Sequence, residues 1–461
     1  MKISRRELLK QCVTTGLGLG LFGGVNTRLF AADDTYNGPL WVMINAKGGW
    51  DVTSLCDPKG YRGAVDANNP DRINNYDQAN IGRIGNLSYA PPPDSFLPGG
   101  VNFIENLYSN RQFFEKYYQQ LLVINGIDCK TNSHSNGQLF NFSGRLRKGY
   151  PAFAALVAGV LAPHRAFSFI SNGGYAVSAD LITPVRMNAS AENALYEIAY
   201  ANRSGDPRSP NSDVYLPDDL QALIHEASQA RHDALLTQQI FPRTKEAIKS
   251  FIQARAGSNS LRGLANNLQT TAALAESTFN GRRNAFKLYQ QGRLALAAYE
   301  EGIACSVDIT LNGFDTHADH DARHYPKLMD LLQGVDAIIE EAKRRNLQNN
   351  IVIVMLSDFG RTNKYNKDGG KDHWPISSAM LIGNSQQTIP GNRAIGVTTE
   401  QHKALKLDPI SLAADFTGSN SNAIMMTPAH IHSVLRQLAG IDQHALSKAY
   451  ALDTEMLNLF A

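Results

Sequence analysis

Apolar residues follow two rhythms along this chain. Short runs at Pro39–Ala46 (PLWVMINA), Gln120–Ile127 (QLLVINGI), Ala304–Leu311 (ACSVDITL) and Ile351–Leu356 (IVIVML) are apolar almost throughout and give way to Gly, Asn or Asp. Runs of that length and composition read as buried strands. Elsewhere apolar residues return every three or four positions. Tyr325, Leu328, Leu331, Leu332, Val335, Ile338, Ile339 and Ala342 predict a long amphipathic helix with Lys343, Arg344 and Arg345 in its last turn, where cations complement the dipole. This helix lies between the third and fourth strand candidates. Strand, helix, strand is a βαβ unit, which implies parallel strands and a right-handed crossover.

The same reading predicts a helix at Phe103–Tyr118, strands at Ala379–Gly383 and Arg393–Thr399, and a last helix near Thr427–Gly440 with Pro428 in its first turn. Residues 57–100, rich in Pro, Asn, Asp and Gly, read as a long surface loop. From about 217 to 299 the chain is rich in Ala, Gln, Asn and Arg at helical spacing, which reads as a helical insertion or lid. The predicted fold class is α/β, a mostly parallel sheet with helices on both faces and this insertion.

Residues 1–32 read as an export signal rather than as part of the fold. SRRELLK (Ser4–Lys10) sets a twin arginine before an apolar stretch from about Val13 to Phe22, with a small-residue cleavage site near Ala31. That pattern resembles a twin-arginine (Tat) signal, implying the Tat translocon as a partner and a periplasmic or otherwise exported mature chain, 33–461. The apolar stretch is too short to span a bilayer, so no stable membrane insertion is expected. The leader holds five basic residues and one acid, so removing its +4 from the net +2 leaves about −2. This balance argues against nucleic acid or an anionic membrane surface as partner. Three cysteines remain (Cys56, Cys129, Cys305), enough for one disulfide at most. No CxxC, haem or dinucleotide fingerprint points to redox chemistry.

Candidate chemistry gathers where strands end. Ligands of open α/β sheets sit beyond the carboxyl ends of the strands. There the sequence places Asp51 at the close of the KGGWD turn, the Thr131–His134 run, Asp315 with His317 and His320, and Asp358 followed by His373. Singly, each reads as a turn, cap or satisfied polar residue. Together, carboxylates and imidazoles are the ligand set of hard-to-borderline divalent metals. One or two ions are expected, with Zn, Mn, Mg and Ca all open.

MINAKGGWD, NSHSNGQLFNFSGR, GFDTHADH, VIVMLSDFGRT and KDHW resemble the successive landmarks of the domain-of-unknown-function 1501 family, regarded as relatives of the alkaline phosphatase and sulfatase superfamily. The late run AHIHSVLRQLAGID resembles that superfamily's C-terminal helix. The resemblance implies an alkaline phosphatase-like fold and a metal-dependent hydrolase or transferase acting on a phosphate or sulfate ester of a small molecule or glycan. It further implies a first metal on Asp315, His317 or His320, and His373, and a second on Asp51 and Asp358. Ser133 would be the nucleophile, with Thr131 second. Arg361 would bind ester oxygens, and His134 would bind substrate or protonate a leaving group.

Two departures from the superfamily pattern stand out. Phe359 occupies the position after Asp358 where a histidine is usual, and Asp315-x-His317 is tighter than the usual spacing. The former favours an alternative, a catalytically inactive periplasmic binding or assembly protein on the same fold. Blander roles remain for several residues: Arg361 as a partner of Asp358, Asp372 as an orienter of His373, and Asp319, Asp321 and His324 on a solvated first helical turn. Trp50 and Trp374 read as core packing or a stacking surface, and His430 and His432 as helix residues away from the site.

Overall fold

A computed structural model describes residues 36–460 apart from 188–190, 205, 207, 210 and 384–388. The export signal expected at 1–32 lies outside the described residues. Seven strands form the main sheet: β1 (Leu40–Lys47), β2 (Leu121–Asp128), β3 (Phe169–Asn172), β4 (Ser306–Asn312), β5 (Ile351–Ser357), β6 (Ile376–Gly383) and β7 (Arg393–Ile395). Their spatial order is β7-β2-β6-β5-β1-β4-β3. All neighbours pair in parallel except β6, which runs antiparallel to both β2 and β5. Reversal of this one strand has a consequence for the site. Its amino end lies at the edge where β1, β2, β4 and β5 have their carboxyl ends, so His373 and Trp374 arrive there from the opposite direction.

Strand alternation builds two cores. On β1, Leu40, Val42, Ile44 and Ala46 join one cluster, while Trp41 and Met43 join the other. On β5, Ile351, Ile353 and Met355 alternate in the same way with Val352, Val354 and Leu356. The first face is covered by α1 (Asn110–Tyr117), α6 (Arg283–Glu300) and α7 (His320–Arg344), and the second by α3 (Phe153–Leu161) and α8 (Pro428–Leu438). Burial on both sides explains why these strands are apolar throughout. Each fully buried Leu, Ile or Val contributes about 1.5–3 kcal/mol.

Local signals fix several boundaries. The helix expected from Phe103 begins at Asn110, because Ser109 and Gln112 form a capping box. Thr427 and His430 form a similar box at the start of α8, and Gly440 follows its end at a φ of 66°. The stretch 217–299 contains α4 (Asp218–Gln238), α5 (Pro242–Thr270) and α6. No residue of α4 is buried, whereas Leu288, Leu294, Ala295 and Leu296 of α6 lie in the first core. Residues 57–100 are less loop-like than expected. They hold a hairpin, Gly82–Ile84 with Leu87–Tyr89, and bury Asn74 and Tyr76. Cys56, Cys129 and Cys305 are buried thiols rather than a disulfide pair.

Candidate metal centre

Four chain segments meet at the carboxyl edge of the sheet. After β1, Gly48 and Gly49 adopt φ of 122° and 84°, a region that L residues avoid. Their missing side chains also make room: a Cβ on Gly48 would lie 2.5 Å from the Asp315 nitrogen, and one on Gly49 2.7 Å from the Phe359 ring. The close approach is to the Asp315 loop and to the Phe359 ring. After β2, the Thr131–Ser133 segment leads into α2 (His134–Ser143). After β4 comes Asp315 to Asp319, and this loop is bridged to the 366–372 segment through Ala318 and Gly369.

His134, Asp315 and His373 bring one ligand atom each within 4.8 Å of one another. His134 Nε2 lies 3.3 Å from Asp315 Oδ2, and His373 Nε2 lies 3.2 Å from Asp315 Oδ1. His317 Nε2 adds a fourth group, 3.0 Å from Asp315 Oδ1 and 3.1 Å from His373 Nε2. The outward nitrogen of each ring is anchored: His134 Nδ1 to Asp358 Oδ2 at 2.7 Å, His317 Nδ1 to Asp372 Oδ1 at 2.8 Å, and His373 Nδ1 to the Asn132 carbonyl at 2.7 Å. Carboxylates and carbonyls only accept, so each Nδ1 carries the proton. In the neutral rings all three Nε2 lone pairs then face the Asp315 carboxylate, a repulsion that a proton or a metal ion held between them would relieve. His134 Nε2 is buried and makes no hydrogen bond. Anchored imidazoles with free inner nitrogens are how proteins hold a divalent metal, so these residues fit one.

The anchors also set the charges. The Asp358 hydrogen bond raises the His134 pKa, and burial lowers that of His373. Burial alone would lift Asp315, but the hydrogen bond and charge of the Arg361 guanidinium outweigh it and hold the carboxyl at about 2.

Several expected roles change. Asp358 is fully buried, and its Oδ2 accepts from the Gly48 amide at 3.0 Å and from His134 Nδ1 at 2.7 Å. Its Oδ1 is buried without a partner. Arg361 is buried and spent within the protein. It donates to the Gly48, Gly49 and Lys371 carbonyls and, at 2.7 Å, to Asp315 Oδ1 rather than to Asp358. That arrangement leaves no fork for ester oxygens and makes Arg361 a clamp on the loops. Asp372 orients His317 rather than His373. His134, expected at the substrate, sits in the candidate ligand set. Phe359 packs between rings, 4.9 Å from His134 and 4.5 Å from His373.

Asp51 and His320 are not brought to this cluster. Asp51 is fully buried and caps the short helix Val52–Ser54, where Oδ1 accepts from the Thr53 amide and hydroxyl. Its Oδ2 accepts from Lys371 Nζ at 2.6 Å and from His320 Nε2 at 3.0 Å. Between His317 and His320, therefore, only His317 stands beside Asp315. His324, expected on a solvated turn, is fully buried and accepts the Asp51 amide at Nε2. Its Nδ1–H then donates to Thr316 Oγ1, whose hydroxyl donates to His320 Nδ1. Both histidines are neutral in this chain, and burial lowers both pKa values. Burial opposes ionisation of Asp51, but Lys371 and His320 overcome it and keep the carboxyl well below its usual range.

Ser133 is exposed at the N-cap of α2 and makes no side-chain cap bond; its hydroxyl meets Ser135 Oγ at 3.2 Å. Thr131 Oγ1 accepts the Ser133 amide at 3.1 Å. Trp50 is core, its Nε1 donating to Ser377, and Trp374 donates to the His402 carbonyl. His430 caps α8 and His432 Nε2 donates to the Asn141 carbonyl, both outside the cluster. Sequence reading gave no role to Lys371, Asn74, Thr53 or Thr316. Lys371 stood within the KDHW motif, but nothing near it in sequence announces a buried partner.

A family model described as protein of unknown function (DUF1501) matches residues 40–416. Comparison with curated proteins finds no match. Among solved structures, Ps i-CgsB in complex with a neocarrahexaose is similar at 10% identity and TM-score 0.39, covering 92% of this chain and 75% of that one. Alkaline phosphatase from the Antarctic bacterium TAB5 is similar at 10% identity and TM-score 0.36, covering 88% and 100%. The PsFucS1 sulfatase from Pseudoalteromonas sp. is similar at 9% identity and TM-score 0.35, covering 88% and 68%.

Proposed function

We propose that this chain, which belongs to the DUF1501 family over residues 40–416, is an exported metal-dependent hydrolase or transferase of phosphate or sulfate esters. The observation that carries the reading is the convergence of His134, His317 and His373 Nε2 on Asp315 with every outer nitrogen anchored. The ester class follows from the motif resemblance given by GFDTH, SDFGRT and KDHW, and the substrate is a small molecule or glycan. Export through the Tat translocon to the periplasm follows from the twin-arginine leader; among the described residues no helix is long and apolar enough to cross a membrane.

His134, Asp315 and His373, with His317 beside them, would hold a divalent ion. When bound, such an ion neutralises charge on the transferring group and eases ionisation of a nearby hydroxyl. Ser133 supplies the hydroxyl, with Thr131 as the second choice. Its Oγ forms a bond to phosphorus or sulfur as the ester P–O or S–O bond breaks, and the hydroxyl proton passes to the leaving alcohol. Water, or an acceptor alcohol, then cleaves the seryl ester. The amino end of α2 favours the negative charge that develops there. Arg361 and Asp358 bind nothing that reacts; they keep Asp315 charged and His134 in the tautomer that presents Nε2.

Metal analysis of protein isolated after export, followed by a panel of aryl phosphates and aryl sulfates, tests the reading. Turnover that chelation removes and metal restores is expected. A metal-free chain whose stability ignores chelators leaves the second reading, a binding or assembly protein. Phe359, in place of a further imidazole, and the occupied Asp51 carboxylate favour that alternative.

A further inference from the structure

The Asp51 carboxylate is enclosed, and its surroundings identify the cation it serves. Lys371 and Asp51 are both fully buried, with Nζ and Oδ2 2.6 Å apart. The ammonium has three hydrogens, and the cage offers three acceptors: Asp51, Asn74 Oδ1 at 2.7 Å and Thr53 Oγ1 at 3.4 Å. The ring of Tyr365 closes the remaining side, its centroid 5.2 Å from Nζ, a distance for cation–π attraction. Asn74 is itself fixed, donating to Thr53 Oγ1 and to the Lys59 carbonyl. The other Asp51 lone pairs are taken by Thr53, Ser54 and His320. A metal would have to displace the lysine from a cage in which each of its protons is matched.

We infer that Lys371 is the resident cation of the Asp51 pocket and closes it to metal, so that the chain carries one metal ion rather than two. This rests in part on the metal reading of the Asp315 cluster, which supplies the single ion. The backbone explains how one loop serves both centres. Lys371 and His373 are two residues apart and face different acids, Asp51 and Asp315. The Lys371 amide donates to the Thr316 carbonyl, and its own carbonyl accepts from Arg361, which also grips Asp315. These backbone bonds hold the loop that presents His373 whatever side chain stands at 371, and the lysine side chain adds positive charge that no chelator removes.

Metal counts per folded full-length chain, by inductively coupled plasma mass spectrometry after equilibration with excess Mn²⁺ or Zn²⁺ and desalting, test the inference. The wild type should hold one ion, Asp51→Asn should still hold one, and His134→Ala should hold none. Lys371→Ala empties the cage and should raise the count to two, while Lys371→Ala combined with Asp51→Asn should return it to one. Two ions in the wild type, loss of an ion in Asp51→Asn, or no gain in Lys371→Ala overturns the assignment of Lys371. No ion in the wild type instead removes the Asp315 centre, and a single ion gained by Lys371→Ala would still support the lysine as the cation of its own pocket. Should the variants fail to fold, the wild-type count decides, one ion supporting the inference and two overturning it.

Discussion

Asp358 Oδ2 and His134 Nδ1 lie 2.7 Å apart, although 224 residues separate them in the chain. The contact joins a fully buried acid at the end of β5 to the first residue of α2, and it turns Nε2 of the ring toward Asp315. An acid expected to hold a metal directly thus aims the imidazole that would. Asp358→Asn preserves shape but can present its NH₂ to the ring and reverse the tautomer. It should keep the fold and weaken metal binding by about 10–100-fold. Competition against a chromogenic chelator measures this, and unchanged affinity would refute the orienting role.

The exposed hydroxyl of Ser133 caps no amide of its helix, so its removal should cost little stability. Ser133→Ala is expected to keep metal content and the melting curve while lowering ester turnover at least a hundredfold. Thr131→Ala serves as the comparison. If Thr131→Ala removes turnover and Ser133→Ala does not, the nucleophile lies two residues earlier.

Arg361 satisfies three backbone carbonyls and Asp315 from a fully buried position. A lysine has neither the fork nor the donors to span them. Arg361→Lys should destabilise the fold by roughly 3 kcal/mol, the cost of leaving buried groups unpaired, as read by urea denaturation. A group that merely bound substrate would instead raise KM with stability intact.

Asp308, on β4, is buried, and neither of its carboxylate oxygens has a hydrogen-bond partner. Burial pushes its pKa well above the ordinary carboxylate value of 3.8. The folded state therefore keeps the proton that the unfolded chain releases as pH rises past that value. Stability is fully present below it and falls above it, until the folded group also ionises, by roughly 1.4 kcal/mol per pH unit. Asp308→Asn should remove this slope, so that the variant gains on the wild type between pH 5 and 7 in paired denaturation curves. Parallel curves across that range would show that Asp308 ionises freely.

Asp51 carries the opposite sign. Lys371 and His320 keep its pKa well below 3.8 against the pull of burial. Its contribution is present above the unfolded value and is lost as pH falls through the folded one. Acid unfolding of the wild type should therefore begin below about pH 4, and Asp51→Asn should be less stable at neutral pH with a flatter acid limb.

Local rhythm in the sequence determined the strands β1, β2, β4 and β5, the helix between β4 and β5, and the gathering of Asp51, Asp315, Asp358 and the nearby histidines beyond strand ends. Such features depend on neighbours a few residues apart, on apolar period, caps and glycine turns, and these are legible in one dimension. Tertiary structure alone decided the pairings. It turned Asp358 toward His134, gave Asp372 to His317, spent Arg361 on backbone carbonyls, and set Lys371 on Asp51 across 320 residues. A carboxylate has no sequence preference between an ammonium, an imidazole and a metal ion. The choice falls to whichever cation the folded loops bring within 3 Å and desolvate with it, and the antiparallel β6 is what brings the Lys371–His373 loop to that edge.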